Sequence, residues 1–253
     1  MTGETKVAMV TGSAVGIGAA IAEQLARDGM TVLVSDMNEA EAARTAARFR
    51  DQGLLAQPIG MDVSSADSIA GAFAAVAARY GRCDVVVNNA GIAKTFPFID
   101  FPLENFASTM AVNVTGALLC AQQAARLMVP RGWGRIINIA SVAGMRSVGH
   151  GRTAYGTSKA AIIGLTRQIA SELANAGITA NAVAPGPVDT PMTEALHSAE
   201  FRDTYTAAVP MKRYGKPSEI ADIVSFLASD RAAYITGAVI PVDGGFMAAG
   251  ALG

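Results

Sequence analysis

Tyr155 and Lys159 stand four positions apart in the stretch TAYGTSKAA, residues 153–161. That spacing stacks a phenol and an ammonium on one face of a helix. A tyrosine titrates near pH ~10, and a cation within a few ångströms stabilises the phenolate and lowers its pKa. The pair is therefore a candidate acid/base with a tuning cation. By itself, it suits an exposed pair on a small-residue helix equally well.

A glycine-rich turn, TGSAVGIG, follows the first predicted strand and contains Gly12, Gly16 and Gly18. Glycines at such a turn let backbone N–H groups approach a pyrophosphate at the N-terminus of the next helix, where the helix dipole favours negative charge. Any turn between a strand and a helix can use glycine. The position after the first strand and before an amphipathic helix favours a dinucleotide site.

Asp36 ends the second predicted strand, TVLVSD. An acid at this position can accept hydrogen bonds from the adenosine ribose hydroxyls, and it repels a 2′-phosphate. Neither Ser13 nor Met37 supplies the basic side chain that such a phosphate needs. A capping role for Asp36 is the alternative. Together with the glycine turn, Asp36 predicts NAD(H) as the cofactor rather than NADP(H).

Apolar runs typical of strands alternate with longer, Ala-rich stretches typical of helices along the whole chain. The runs DVVVN and RIINI are almost continuously apolar, as expected for a parallel sheet covered by helices on both faces. The alternation predicts a single α/β domain over residues 1–253, built on a doubly wound parallel sheet. The predicted strands are Val7–Thr11, Thr31–Ser35, Ala56–Met61, Asp84–Asn88, Arg135–Ala140, Thr179–Ala184 and Ala238–Val242. The predicted helices lie near Ile17–Arg27, Glu39–Arg50, Ala66–Tyr80, Leu103–Met128, Tyr155–Ala174 and Ser218–Ala228.

Composition excludes several classes of function. Of 253 residues, 51% are hydrophobic, and the net charge of −1 offers no basic field for nucleic acid or an anionic membrane. Cys83 and Cys120 have no Cys or His at ligand spacing, so no metal site is predicted. Because the sequence shows neither a secretion signal nor an apolar run of about 18 residues, we expect a cytoplasmic protein.

Residues 185–211 interrupt the alternation of strands and helices with four prolines. A long insertion after the carboxyl end of a strand lies where open α/β sheets bind ligands. We therefore expect a substrate lid here rather than an inert surface excursion. Met192, Leu196 and Phe201 suit a partly apolar substrate, with Met192 as a candidate contact, whereas His197 is expected to be exposed.

The ordered set of motifs resembles the classical short-chain dehydrogenase/reductases (SDR) over essentially the whole chain. It comprises TGSAVGIG, NNAG, Asn113 in MAVNVTGA, Ser141 in IINIAS, YGTSK, PGPVDTPM and YITGAVIPVDGG. The resemblance implies a seven-stranded Rossmann sheet and a homotetramer or homodimer packed through the helices around Asn113 and Tyr155. It further implies reversible hydride transfer between a nicotinamide and an alcohol/carbonyl pair.

The resemblance also assigns roles by position. It makes Tyr155 the general acid/base, while Lys159 binds the nicotinamide ribose and lowers the pKa of the phenol. Ser141 orients the substrate oxygen, and Asn113 holds a water in a proton relay. The residues that the resemblance places around the cofactor are Gly12, Gly16, Ile17 and Gly18 at the pyrophosphate, Asp36 and Met37 at the ribose, Asp62 and Val63 at the adenine, Asn89, Ala90 and Gly91 along the groove, and Pro185, Gly186, Val188 and Thr190 at the nicotinamide.

The loop between Ser141 and Tyr155 is one residue longer than in many members of the family, and it contains Arg146, His150 and Arg152. The added residue leaves any substrate taken from a relative in doubt. We hypothesise that His150 or Arg152 contacts a polar or anionic group on the substrate. A solvent-facing position or a subunit contact is the alternative.

The preferred function is NAD-dependent interconversion of a secondary alcohol and a ketone, such as a polyol or a hydroxy acid. The pattern also resembles the 3-oxoacyl-acyl-carrier-protein reductases, which typically use NADP(H); Asp36 argues against that branch. A non-catalytic NAD-binding protein has no physical need for Ser141, Tyr155 and Lys159 together. A Rossmann methyltransferase gives no reason for the Tyr–Lys pair.

Overall fold

The structure is a computed structural model that describes residues 5–249. Seven parallel strands form one sheet in the order β3-β2-β1-β4-β5-β6-β7. The order in which successive strands are added reverses between β1 and β4, and open α/β sheets bind ligands at such a switch point. The strands are β1 (Val7–Thr11), β2 (Thr31–Asp36), β3 (Ala56–Gly60), β4 (Val85–Asn88), β5 (Gly134–Ile139), β6 (Ile178–Pro185) and β7 (Val239–Val242).

Helices cover both faces of the sheet. They are α1 (Gly16–Arg27), α2 (Glu39–Asp51), α3 (Ala66–Tyr80), α4 (Leu103–Met110), α5 (Gly116–Met128), α6 (Thr153–Leu173), α7 (Pro191–Leu196), α8 (Ala199–Ala208) and α9 (Pro217–Ala228). Along β1, Val10 packs in the core with α1, α2 and α9, whereas Met9 packs in the core with α3 and α5. Both cores are apolar, which explains the continuous apolar runs. The predicted doubly wound α/β fold is confirmed.

The predicted helix over residues 103–128 is interrupted. A π-helical turn at Ala111–Thr115 separates α4 from α5. Val112, Val114 and Thr115 are β-branched and lower the helix propensity of this turn. The Asn113 side chain is meanwhile held by groups outside the helix. A one-turn π segment of this kind is often found at functional sites.

The segment after β6 packs over the carboxyl end of the sheet. It contains α7 and α8, and its Val209 shares a small apolar cluster with Val142, Val148 and Phe246. This cluster joins the segment to the loop that follows β5 and to the chain after β7. The packing therefore places the predicted lid directly above the carboxyl ends of β5 and β6.

Candidate active site

A cavity of about 380 Å³ opens at the carboxyl edge of the sheet. Every residue predicted for the cofactor lines it: Gly12, Gly16, Ile17, Gly18, Asp36, Met37, Asp62, Val63, Asn89, Ala90, Gly91, Tyr155, Lys159, Pro185, Gly186, Val188 and Thr190. Ser141 and Met192 also line the cavity. Asn113, His150 and Arg152 are not among its lining residues.

The glycine turn needs glycine for steric reasons. Gly12 has φ +60°, and a Cβ there would lie 2.8 Å from the Cα of Ala90. A Cβ on Gly18 would lie 2.3 Å from the carbonyl oxygen of Gly12. Neither contact is tolerable, because the opposing atoms belong to the backbone. These two glycines therefore let the turn and α1 pack directly against the end of β4.

Hydrogen bonds fix the glycine turn to β4. The Thr11 hydroxyl accepts the backbone N–H groups of Asn89 and Ala90, each at 3.0 Å. The Asn89 side-chain amide donates to the carbonyl oxygens of Thr11 at 2.9 Å and Gly12 at 2.8 Å. These hydrogen bonds fix the carboxyl ends of β1 and β4 to each other, so this part of the cavity is formed by the protein alone.

The start of α1 meets the requirements of a phosphate site. The residue that caps it, Val15, has no side-chain hydrogen bond to offer, and no acidic residue lies in the first turn. The first N–H groups of the helix therefore lack a side-chain cap, and the positive end of the helix dipole lies at the cavity. A pyrophosphate is a fitting partner for such groups.

The Asp36 carboxylate is positioned by the backbone. One oxygen accepts the N–H of Ala14 at 3.2 Å, and the other accepts the N–H of Asn38 at 3.0 Å. Both oxygens keep lone pairs, so the carboxylate can also accept from ribose hydroxyls. The neighbouring Met37 side chain is 77% exposed, and Ser13 is buried with its hydroxyl donating to Val10. Neither supplies a cation, and the residues fit a dinucleotide without a 2′-phosphate.

Lys159 is buried at the opposite end of the cavity. Its ammonium donates to the carbonyl oxygen of Ile139 at 2.7 Å and lies 5.6 Å from the ring centroid of Tyr155. Burial lowers the pKa of Lys159 to about 8. Two of its three N–H donors are left for other partners. The ribose hydroxyls of a bound dinucleotide would suit them.

Tyr155 and Ser141 line the same cavity. Burial raises the pKa of Tyr155, while the Ser141 hydrogen bond and the charge of Arg152 act to lower it. The Ser141 oxygen also accepts the N–H of Ala143 at 3.1 Å, which caps a short turn and orients the hydroxyl. The sequence pointed to Lys159 as the cation that tunes the phenol. The charge of Arg152 also lowers the Tyr155 pKa, and the tuning role of Lys159 stays a prediction.

Asn113 contacts the site through its neighbours. Its side-chain oxygen accepts the N–H of Ile92 at 2.8 Å, and its amide donates to the Ile92 carbonyl at 3.0 Å and to the Ser158 hydroxyl at 2.9 Å. Ser158 donates in turn to the carbonyl oxygen of Tyr155 at 2.7 Å. Both amide hydrogens are therefore used within the protein. The predicted water at Asn113 stays a prediction, and it would depend on the remaining acceptor groups of this residue.

The expectation that His197 is exposed is wrong. Its ring is half-buried between Arg152, which contacts one ring nitrogen at 2.9 Å, and Tyr214, whose hydroxyl contacts the other at 3.0 Å. The ring of Phe201 packs on it at 4.7 Å between centroids. His150, two residues before Arg152, is exposed. The tertiary fold thus separates the two candidates for substrate contact.

The sequence reasoning missed the apolar walls of the cavity and the aromatic cluster of the lid. Val15, Ile92, Val112, Ile139 and Pro191 line the cavity beside predicted residues, so their proximity to the motifs was a usable signal. Tyr205, Tyr214 and Phe246 gather around His197 and Phe201 from three separate segments. No spacing in the sequence predicts that cluster, because its members are brought together only by the fold.

Within residues 5–249, no group of three or more Cys, His, Asp or Glu side chains is arranged to hold a metal ion. No helix in the same range is both long and apolar enough to cross a bilayer.

Comparison with known proteins identifies the family. A family model described as enoyl-(acyl carrier protein) reductase matches residues 12–247. The chain is 41% identical to a 3-oxoacyl-acyl-carrier-protein reductase of Aquifex aeolicus, covering 95% of this chain and 96% of the relative. It is also 41% identical to a cis-4-hydroxycyclohexanecarboxylate dehydrogenase of Sinomonas cyclohexanicum, covering 96% and 97%.

A solved structure extends the likeness to three dimensions. A gluconate 5-dehydrogenase of Burkholderia cenocepacia, in complex with NADP and tartrate, superposes with a TM-score of 0.93 at 36% identity, covering 97% of this chain and 96% of that one. The chain therefore belongs to the short-chain dehydrogenase/reductase family and is an oxidoreductase of that family. The predicted family is confirmed, and the methyltransferase alternative is excluded.

Proposed function

We propose that the protein is an NAD(H)-dependent oxidoreductase that interconverts a small secondary alcohol and its ketone. The observation that carries the proposal is the arrangement of one cavity: Tyr155, Ser141 and Lys159 lie at one end, and the glycine turn with Asp36 lies at the other. An acid/base and a dinucleotide site thus share one space. That arrangement suits proton transfer to or from the oxygen of a carbonyl or alcohol group while the cofactor exchanges a hydride with the carbon that bears it.

The chain's own groups control the proton. A bound nicotinamide dinucleotide supplies reversible hydride transfer. The Tyr155 hydroxyl would donate its proton to a ketone oxygen during reduction and accept the alcohol proton during oxidation. The Ser141 hydroxyl, which lines the same cavity, would hold the same substrate oxygen. Lys159, anchored on Ile139, would hold ribose hydroxyls with its two remaining donors.

The raised pKa of Tyr155 affects the pH dependence of the two directions of the reaction. Because burial disfavours the phenolate, the protein without ligands holds Tyr155 as a proton donor at neutral pH. We therefore expect ketone reduction to proceed at neutral pH and alcohol oxidation to accelerate as the pH rises. Steady-state rates in both directions across a pH series test this. Oxidation that slows with rising pH, on a protein that stays folded, would contradict it.

NAD(H) is the proposed cofactor. The support is the Asp36 carboxylate at the end of β2 with no basic residue at Ser13 or Met37. The relative from Burkholderia cenocepacia holds NADP, so the family accommodates either dinucleotide. The test is the ratio of kcat/KM for NADH and NADPH with the best ketone. Comparable values would contradict the proposal.

Among small substrates, hydroxy acids come first. The support is that one relative is named as a dehydrogenase of a hydroxycyclohexane carboxylate, and another was solved in complex with NADP and tartrate. A panel of hydroxy acids, polyols and simple secondary alcohols, followed by NADH absorbance, tests the proposal. Absence of turnover over the whole panel would favour a non-catalytic NAD-binding protein.

Reduction of an acyl-chain thioester is the second candidate. It is favoured by the Aquifex aeolicus relative, a 3-oxoacyl-acyl-carrier-protein reductase, at 41% identity. Acetoacetyl thioesters assayed beside the ketones of the panel separate the two candidates. The predicted homotetramer or homodimer stays a prediction, and light scattering after size-exclusion chromatography checks it.

A further inference from the structure

Arg152 occupies a distinctive position beside the catalytic tyrosine. It lies one helical turn before Tyr155, and its side chain is half-buried. One guanidinium nitrogen contacts the Nε2 of His197 at 2.9 Å, and the guanidinium carbon lies 5.6 Å from the ring centroid of Phe201. The cation is thus enclosed between α6 and the lid instead of pointing into solvent.

The contact with Arg152 determines the tautomer of His197. A guanidinium can only donate, so Nε2 must accept, and the ring hydrogen must be on Nδ1. Nδ1 then donates to the Tyr214 hydroxyl at 3.0 Å. Burial, together with the charges of Arg152 and Arg202, lowers the pKa of His197 to about 4. The ring is therefore a neutral acceptor that holds the guanidinium over the ordinary assay range.

Over residues 5–249, no carboxylate forms an ion pair with Arg152. In the lid region, Arg202 pairs with Asp189, and Arg213 pairs with Glu219 at 2.6 Å. Among the residues that the structure describes, Arg152 makes no such ion pair, and its hydrogen-bond partner is an uncharged ring. Enclosed charges are normally paired, since desolvation of an isolated charge is costly. The guanidinium has five N–H donors, so several remain for a ligand.

The charge of Arg152 acts at the reaction centre. It lowers the pKa of Tyr155 and also that of Tyr205, whose phenol interacts with Tyr155. Burial nevertheless raises the pKa of Tyr205 to about 12. The geometry agrees, because Arg152 lies one helical turn before Tyr155 and packs over Phe201, whose ring stacks on Tyr205 at 5.6 Å between centroids. The cation and the two phenols therefore lie beside the Tyr155 end of the cavity.

We propose that Arg152 binds the carboxylate of a hydroxy acid or oxo acid while Tyr155 exchanges a proton with the neighbouring oxygen, and that His197 is the positioning residue for Arg152. This inference rests on the proposed function and narrows its substrate class. A planar carboxylate matches the two parallel donors of a guanidinium. The Phe201 ring beside the guanidinium, with the Tyr205 and Phe246 rings packed behind it, suits the hydrocarbon part of such a molecule.

The first experiment compares acids with uncharged analogues. Lactate, 3-hydroxybutanoate and cis-4-hydroxycyclohexanecarboxylate are each assayed beside the corresponding primary amide, with NAD and the full-length protein. We expect the best acid to exceed its amide in kcat/KM by at least about 30-fold, the size of effect typical of a buried charge pair. In Arg152→Gln, that acid/amide ratio should fall to within about 3-fold of unity. A general effect of the substitution on Tyr155 would lower kcat/KM for the acid and the amide alike. The acid/amide ratio therefore reports only the loss of the carboxylate contact.

Arg146→Gln is the matched control. Arg146 lies on the same loop and packs over the Phe246 ring at 4.9 Å, so the substitution removes a nearby cation outside the proposed contact. The acid/amide ratio should change by less than about 3-fold in this variant. Direct titration of the best acid into each protein–NADH mixture, followed by cofactor fluorescence, gives binding constants independent of turnover. The ranking of the unmodified protein and the two variants by affinity for the acid should match their ranking by the acid/amide ratio of kcat/KM.

A second pair of variants tests the role of His197. Glutamine can still accept from Arg152, whereas leucine cannot. We expect His197→Leu to raise KM for the acid by about 10-fold with a smaller change in kcat, and His197→Gln to stay within about 3-fold of the unmodified protein. Equal effects of the two variants, with circular dichroism showing both folded, would overturn the positioning role.

The outcomes separate this inference from the function on which it rests. Turnover of no secondary alcohol, acid or amide would overturn both. Turnover with equal kcat/KM for acids and amides, or an acid preference that survives Arg152→Gln, would overturn the inference and leave the oxidoreductase proposal standing. Preference for a phosphomonoester over the matched acid would overturn the carboxylate assignment.

Discussion

The two ends of the cavity are built in different ways. At the cofactor end, hydrogen bonds from the Thr11 and Asn89 side chains to the backbone hold the glycine turn against β4, and steric contacts allow only glycine at two positions. Next to the Tyr155 end, outside the residues that line the cavity, loop 141–152 contacts the 185–211 segment through side chains: an arginine without an ion pair among the described residues, a neutral histidine and a set of aromatic rings.

This difference indicates that the cofactor end is the part of the site shared across the family, whereas the side chains near the substrate are the part that distinguishes this protein. A dinucleotide presents the same phosphates and ribose to every enzyme, so a rigid backbone cradle serves it. Substrates differ, and a group of side chains from separate loops can be altered without disturbing the sheet. The cofactor end should therefore respond to substitution by losing binding. The substrate end should respond by changing selectivity.

Removing the Tyr155 hydroxyl is expected to have the largest effect. Tyr155→Phe deletes the proton donor, and general acid/base catalysis is worth about 10²–10⁴-fold, so kcat should fall by at least about 10³-fold. NADH affinity should change little, because the cofactor end is untouched. Stopped-flow turnover and NADH fluorescence measure the two quantities. Tyr205→Phe, a nearby phenol, serves as the control, and an equal loss of kcat in both variants would contradict the role of Tyr155.

A methyl group on Gly18 should damage the cofactor end selectively. The new Cβ would meet the Gly12 carbonyl oxygen at 2.3 Å, so the turn must move. We expect Gly18→Ala to weaken NADH binding by about 100-fold, equivalent to ~3 kcal/mol. Gly71→Ala, in the exposed face of α3 with nothing within 4 Å of its Cβ, is the matched control. That variant should stabilise the protein slightly, because alanine is the better helix former.

Neutralising Asp36 should change cofactor preference without affecting the choice of substrate. Asp36→Asn removes the charge that repels a 2′-phosphate, so kcat/KM for NADPH relative to NADH should rise by about 10-fold. Asp62→Asn, in the lining of the same cavity at a position predicted to flank the adenine, should alter that ratio less. An unchanged ratio in Asp36→Asn, with both cofactors still bound, would count against Asp36 as the discriminating group.

The smallest expected effect is a gain in stability. Lys159 has a pKa of about 8 in the fold and ~10.4 in an unfolded chain, so the unfolded chain binds more protons between these pH values and stability rises with pH across that window. Below pH ~8 the buried charge destabilises the fold. Lys159→Met should therefore raise Tm by about 5 °C at pH 7, after allowing for the lost hydrogen bond to Ile139.

Differential scanning calorimetry without cofactor measures this change, with exposed Lys94→Met as the control. The advantage of Lys159→Met should shrink as the pH approaches ~10.4. A lower Tm in Lys159→Met at pH 7 would show that the ammonium stabilises the fold. Activity should be lost in the same variant, which would make Lys159 a residue kept for function against stability.

Much of the fold follows from the sequence because its signals are local. Val7–Thr11 and Ala66–Tyr80 were predicted with the bounds that the structure has, since an apolar run or a Ser65-capped periodic stretch specifies them. The helix predicted over residues 103–128 was only partly right. Its π-helical turn depends on Asn113 reaching Ile92 and Ser158, which lie elsewhere in the chain.

The candidate active site shows the same distinction between local sequence signals and tertiary contacts. The glycine turn, Asp36 and the Tyr155–Lys159 pair are predictable from the sequence, because each depends on spacing along one strand or helix. The tertiary structure was needed to show that Arg152 contacts His197, that the His197 ring is half-buried and that His150 is exposed. His150 and Arg152 lie in one loop, and the sequence around them does not show which side chain is buried. The burial of a side chain in this loop, and its contacts, depend on residues from distant segments that come together only in the folded protein.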